Sequence, residues 1–102
     1  MINVNILLDK VQPIINKCIE LGYINNLKSE WLSEDLEKLL TDKNSSDATI
    51  FNNESSIRID LNNNLYMSMD VKIYNINKNS IAKLTDILNM IETFNQEIKE
   101  IK

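Results

Sequence analysis

The chain has no histidine and one residue each of cysteine, glycine and proline, and that inventory decides most of the chemistry open to it. Without histidine there is no Ser-His-Asp or Cys-His pairing, no imidazole ligand for zinc, and no side chain whose ordinary pKa suits it to general base work near neutrality. Cys18 is the obvious nucleophile that remains. It falls on an apolar helical stripe, which predicts a buried structural thiol. With Gly22 as the only glycine, the Gly-rich phosphate loop and the dinucleotide fingerprint are both excluded. The segment DLNNN, from Asp60 to Asn64, matches the first three oxygen-ligand positions of a calcium loop. Leu65 then stands where such a loop needs glycine, and Val71 where it needs a bidentate glutamate. The segment reads instead as a hairpin turn. Asp60 and Asp70 share one strand face and are the only paired carboxylates worth weighing for acid-base work. Arg58 and Lys72 are interspersed with them, so the face reads as solvated and salt-bridged. No catalytic residue, metal ligand or cofactor is expected.

Binding is the remaining class of function. The same face carries Tyr66, Tyr74 and Arg58, the only arginine in the chain, and Tyr and Arg are enriched at interface hot spots. Asp70 and Lys72 would flank them. Phe51 joins them in one of two turn registers. A two-residue turn at Asn53-Glu54 points Ile50 inward and Phe51 outward, whereas a three-residue turn from Asn53 to Ser55 does the reverse. A rival surface is the acidic stripe Glu30, Glu34 and Glu37, which could imitate phosphates toward a basic protein, although Lys38 and Lys43 dilute it.

The elements that would position these residues follow from hydrophobic period. From Ser56 to Tyr74, the residues Ile57, Ile59, Leu61, Leu65, Met67, Met69, Val71 and Ile73 are all odd-numbered, with polar residues and tyrosines between them. A period of two means one buried face and one wet face, hence a β-hairpin. Taking Asn62 to Asn64 as its turn sets Leu61 opposite Leu65, Ile59 opposite Met67, Ile57 opposite Met69, Arg58 opposite Ser68 and Asp60 opposite Tyr66. A further β-prone run, Ala48 to Phe51, completes a three-stranded antiparallel meander.

Helical spacing brackets the meander on both sides. Val4, Leu7, Leu8, Val11, Ile14, Ile15, Cys18 and Ile19 recur at three and four, and Gly22 follows as a left-handed cap. Pro13 inside this run predicts a kink, or a helix that begins near Asp9. A second helix is expected from Lys28 to Lys43, capped by Ser29 or Ser33, with Glu34 and Lys38 paired across one turn, and residues 42–47 then form a loop. A long third helix begins near Asn79, with Asn77, Asn79 or Ser80 as cap. Its row of Ile81, Leu84, Leu88 and Ile91 is flanked by Ile87, Met90 and Phe94. If Ile87, Phe94 and Ile101 were left uncovered, they would make a homodimer seam.

The 102 residues fit one α+β domain spanning the chain, in the order helix, helix, meander, long helix, with the helices on the odd-residue face of the sheet. That length suffices to remove about two thirds of the unfolded surface from water. The net charge of −4 disfavours a phosphate-neutralising surface. Ile, Asn and Lys are abundant while Gly, Ala, Arg and Pro are scarce, the codon signature of an AT-rich genome. There is no signal peptide and no membrane-spanning apolar run, and the lone cysteine suits a reducing cytoplasm. The expected function is a non-enzymatic protein-binding module: a stoichiometric inhibitor or immunity-type protein, such as a phage or mobile-element anti-defence protein, acting on a larger protein target. The alternative is a dimeric, winged-helix-like DNA-binding regulator, which the acidic second helix disfavours.

Overall fold

The computed structural model describes residues 2–42, 44 and 46–101. Helix α1 spans Val4–Glu20; a 3-10 turn at Ser29–Leu32 leads into α2, Ser33–Thr41. Strands β1 (Asp47–Asn52), β2 (Ile57–Asn62) and β3 (Met67–Val71) form an antiparallel sheet in the order β1-β2-β3, and α3 runs from Lys78 to Ile101. This is the expected α+β arrangement. The expected end of the second helix at Lys43, and Ser45 in the loop after it, lie outside the described residues.

Helix α1 is continuous through Pro13 and does not begin at Asp9. Its start is set further upstream, where Asn3 Oδ1 accepts a hydrogen bond from the Ile6 N–H at 3.0 Å, satisfying one of the donors a helix end leaves open. Pro13 is solvent-exposed, so the carbonyl it leaves without a donor is not sealed in the core. At the other end, Gly22 adopts φ +84°, and the Gly22 and Tyr23 N–H groups donate to the carbonyls of Ile19 and Cys18 at 3.1 and 2.9 Å. That pattern is the Schellman ending that sequence predicts at this glycine.

The second helix is shorter than expected, because its first turn is 3-10 and neither serine caps it. The donor at Ser29 is taken instead by Gln12 of α1, whose Oε1 accepts from the Ser29 N–H at 3.0 Å. Tertiary packing has thus replaced the local cap. The Glu34–Lys38 pair does form, at 3.9 Å on an exposed face, where such pairs contribute little.

On β2 the alternation is as read: Ile57, Ile59 and Leu61 are buried and Arg58 is exposed. The pairing differs from the expected one by two residues. Leu61 faces Met67, Ile59 faces Met69, Ile57 faces Val71, Arg58 faces Asp70 and Asp60 faces Ser68. The turn is therefore Asn63-Asn64-Leu65, closed by a bond from the Asn62 N–H to the Tyr66 carbonyl at 3.2 Å and one from the Leu65 N–H to the Asn62 carbonyl at 2.8 Å. Leu65 takes the left-handed conformation, φ 60°, which costs a non-glycine residue about 1–2 kcal/mol. Two gains offset that cost. Leu65 is buried, which contributes about 1.5–3 kcal/mol, and Asn62 Oδ1 accepts from both the Asn64 and Tyr66 N–H groups at 3.0 and 3.1 Å.

Strand β1 carries a bulge between Thr49 and Phe51. Ile50 and Phe51 are both buried as a result, so neither of the two turn registers weighed from sequence describes it. The turn is Glu54 to Ser56, closed by Asn53 N–H to Ile57 carbonyl at 2.7 Å.

Helix α3 starts on a reciprocal cap: the Ser80 N–H donates to Asn77 Oδ1 at 2.9 Å and the Asn77 N–H to Ser80 Oγ at 3.1 Å. Its 24 residues reach roughly 36 Å at 1.5 Å each, nearly the 41 Å length of the molecule. Ile87, Ile91, Phe94 and Ile98 enter the core, while Ile81 and Leu88 are exposed. The buried set thus takes Ile87 and Phe94 from the expected flank and Ile91 from the expected central row, while Met90 is half-buried. The proposed seam of Ile87 and Phe94 is covered within the monomer, and Ile101 is half-buried beside them. A salt bridge from Lys10 to Glu97 at 2.9 Å joins α1 to α3.

Two substitutions test the local devices. Gly22→Ala meets no atom within 4 Å, so its cost is conformational only and should appear as about 1–2 kcal/mol lost in denaturant unfolding. Asn62→Ala removes one acceptor from two backbone donors and should cost about 1–3 kcal/mol, with an unchanged m-value.

Candidate functional site

The solvent-facing side of the sheet is organised around Asp60. Its Oδ2 lies 2.9 Å from Arg58 Nε, and its Oδ1 accepts from Thr49 Oγ1 at 3.0 Å. Asp60 is thus committed to holding Arg58 and tying β1 to β2, and does not stand ready beside Asp70 as an acid-base pair. Arg58 lies directly across from Asp70, an opposite-charge cross-strand neighbour of the kind that stabilises a sheet face.

The expected partner-binding residues are not brought together as one surface. Arg58, Asp70 and Lys72 line a shallow concavity of about 570 Å³ at the β1–β2 turn. Tyr66 lies at the opposite end of β3, in a second concavity of about 590 Å³ walled by the C-terminal half of α3, including Glu92, Asn95 and Lys99. Tyr74 is beyond the end of β3 and is 77% exposed. Phe51, at 7% exposure, belongs to the core and is removed from this surface by the bulge. Of the acidic stripe, Glu30 sits in the 3-10 turn while Glu34 and Glu37 lie on α2. The tighter winding turns Glu30 away from the line that a continuous α-helix would draw.

Cys18 is 1% exposed, and burial pushes its thiol up from 9.0 to about 11. Burial and the neighbouring Cys18 also raise the Tyr23 phenol. The DLNNN segment is spent on structure, with Asp60 on Arg58 and Asn62 on the turn. Among the described residues, no group of three or more acidic or thiol side chains is placed to hold a metal ion, and no helix is long and apolar enough to cross a membrane.

A different surface stands out. Ile73, Tyr74, Ile76 and Ile81 are all exposed, as is Leu88 one further stretch along α3. A bond from Ser80 Oγ to the Asn75 carbonyl at 3.3 Å ties the connection to the start of the helix. The sequence carries a signal for them. The odd apolar row continues to Ile73, but β2 begins at Ile57 opposite Val71, so Ile73 has no strand to cover it. Comparison with known protein families, curated proteins and solved structures found no match.

The state of Cys18 has a pH signature. A thiol raised by folding contributes stability that is whole below about pH 9, the unfolded value, and is lost as pH climbs toward about 11. Wild type minus Cys18→Ala stability, measured by denaturant titration at several pH values, should therefore fall across that window and stay flat below it.

Proposed function

We propose that the chain is a non-enzymatic protein-binding module of the stoichiometric inhibitor or immunity type, acting on a larger protein in a reducing cytoplasm. One observation carries this reading: four large apolar side chains, Ile73, Tyr74, Ile76 and Ile81, stand between 40% and 77% exposed within a single stretch of chain. Such a patch is costly to leave in water, and on small domains it marks protein contact. Tyr74 supplies the residue type most often found at the centre of such contacts. The inert Cys18 and the engaged Asp60 support binding over catalysis. The acidic surface of α2, with Glu34, Asp35 and Glu37 all exposed, supports a protein target over a nucleic acid.

The test is a comparison of captures. Tagged wild type, a Tyr74→Ala/Ile76→Ala variant and an Arg58→Ala/Tyr66→Ala variant are each immobilised and exposed to extract of the host cell. A protein retained in fixed ratio by wild type, lost with the Tyr74/Ile76 pair and retained by the Arg58/Tyr66 pair is the expected result. Retention that ignores the Tyr74/Ile76 change, in a variant with wild-type circular dichroism, would sink the reading.

A further inference from the structure

Strand β3 is an edge strand, and only part of its outer edge is occupied. The Lys72 N–H donates to the Ser56 carbonyl at 2.8 Å, and the Asn62 N–H to the Tyr66 carbonyl at 3.2 Å, so the even-numbered residues along β3 turn their backbone groups toward β2. In an antiparallel ladder the alternate residues point the other way, so Met67, Met69 and Val71 present N–H and C=O outward. Asn95 of α3 meets the first of these. Its Oδ1 accepts from the Met67 N–H at 2.7 Å and its Nδ2 donates to the Met67 carbonyl at 3.0 Å, the two bonds a neighbouring strand would make. Among the described residues, nothing takes up the matching groups of Met69 and Val71. Strand β1, the opposite edge, is broken by its bulge, a device that discourages strand addition. Strand β3 pairs without interruption along its length.

Helix α3 brings an apolar stripe to the same place. Asn95 identifies the helix face that looks at the open edge, and Leu88, Leu84 and Ile81 precede it on that face at helical spacing. Leu88 and Ile81 are exposed and Leu84 is half-buried. A strand advances about 3.3 Å per residue and a helix about 1.5 Å, so the path from Met67 to Val71, roughly 13 Å, matches about nine residues of α3 counted back from Asn95. That point is near Asp86, inside the Ile81 to Leu88 stripe.

We infer that a second copy of this chain adds its β3 to this edge, antiparallel about a two-fold axis at Val71, to make a continuous six-stranded sheet. In that register Val71 faces its own counterpart, Met69 faces Ile73 of the second copy, and Asp70 faces Lys72 of the second copy. The last pair occurs twice by symmetry and places opposite charges directly across the strands. The same axis sets the two α3 stripes against each other, covering Ile81 and Leu88. This inference rests on the reading of the Ile73 to Ile81 surface as protein-binding, and it gives Ile73 and Ile81 of that surface to a second copy of the chain. Tyr74 and Ile76, beyond the paired residues Met69 to Ile73, stay open to a target.

Sedimentation equilibrium of the purified protein alone, across a dilution series, should show a reversible monomer–dimer equilibrium. Hydrogen exchange at the Met69 and Val71 amides should slow as the dimer fills. Val71→Pro removes only an outward-facing donor, which an edge strand tolerates, and should weaken the dimer by about tenfold or more with circular dichroism unchanged. Lys72→Asp, a charge exchange that leaves the Arg58–Asp70 pair within each sheet intact, should weaken it too. A chain that stays monomeric into the millimolar range overturns the inference, while capture of a different protein still stands or falls by the experiment above. A dimer whose Met69 and Val71 amides exchange as fast as the monomer's, or one indifferent to the charge exchange, overturns it equally.

Discussion

Everything in this fold depends on keeping Ile57, Ile59 and Leu61 of the central strand out of water; all three are at most 1% exposed. Side chains alternate across a strand, so a slip of one residue would turn that set to solvent and bring Arg58 and Asp60 inward. A slip of two residues preserves the faces. The β2–β3 hairpin shows the consequence: its turn lies one residue further along than the three asparagines suggest, its pairing shifts by two, and the buried face is unchanged. Strain at Leu65 is offset by the burial of its side chain and by the two backbone donors that Asn62 Oδ1 satisfies.

Helix α3 has two jobs that follow from its length. Its C-terminal two thirds closes the core through Ile87, Ile91, Phe94 and Ile98, and it is held on either side by Lys10–Glu97 and by the Asn95 amide on Met67. The remainder projects beyond the sheet's cover, since β3 ends at Val71 and β1 and β2 are no longer than six residues. Exposed Ile81 belongs to this remainder, and exposed Leu88 to the outer side of the part that closes the core. They gather where the strand edge is also open.

The chemistry of the surface is sparse for a related reason. The polar side chains that could act are largely used to hold the chain in place: Asp60 fixes Arg58 and Thr49, Asn62 and Asn53 close turns, Asn77 caps α3, and Asn95 caps the strand. In a chain with a single glycine, asparagine does much of the work that glycine does elsewhere, by accepting hydrogen bonds from the turn's own backbone. The exposed apolar side chains and the open backbone edge of β3 suit recognition of another protein chain.

Much of the architecture was legible in the residues themselves. Period two marked the hairpin and its inner face, spacing of three and four marked α1 and α3, and Gly22 marked the end of α1, because each of these is a local property of backbone geometry. Sequence also disposed of histidine, glycine-loop and disulfide chemistry by the absence of the residues. Tertiary structure decided the rest. It chose the register of both turns, buried Phe51 beside Ile50 through a bulge, replaced the Ser29 cap with Gln12, rotated α3 so that Ile87 and Phe94 face inward while Leu88 faces out, and set Tyr66 and Arg58 at opposite ends of the β2–β3 hairpin. These are choices among alternatives of nearly equal local energy. They are settled only by which arrangement packs all of the apolar faces at once, and that sum cannot be read from any one segment.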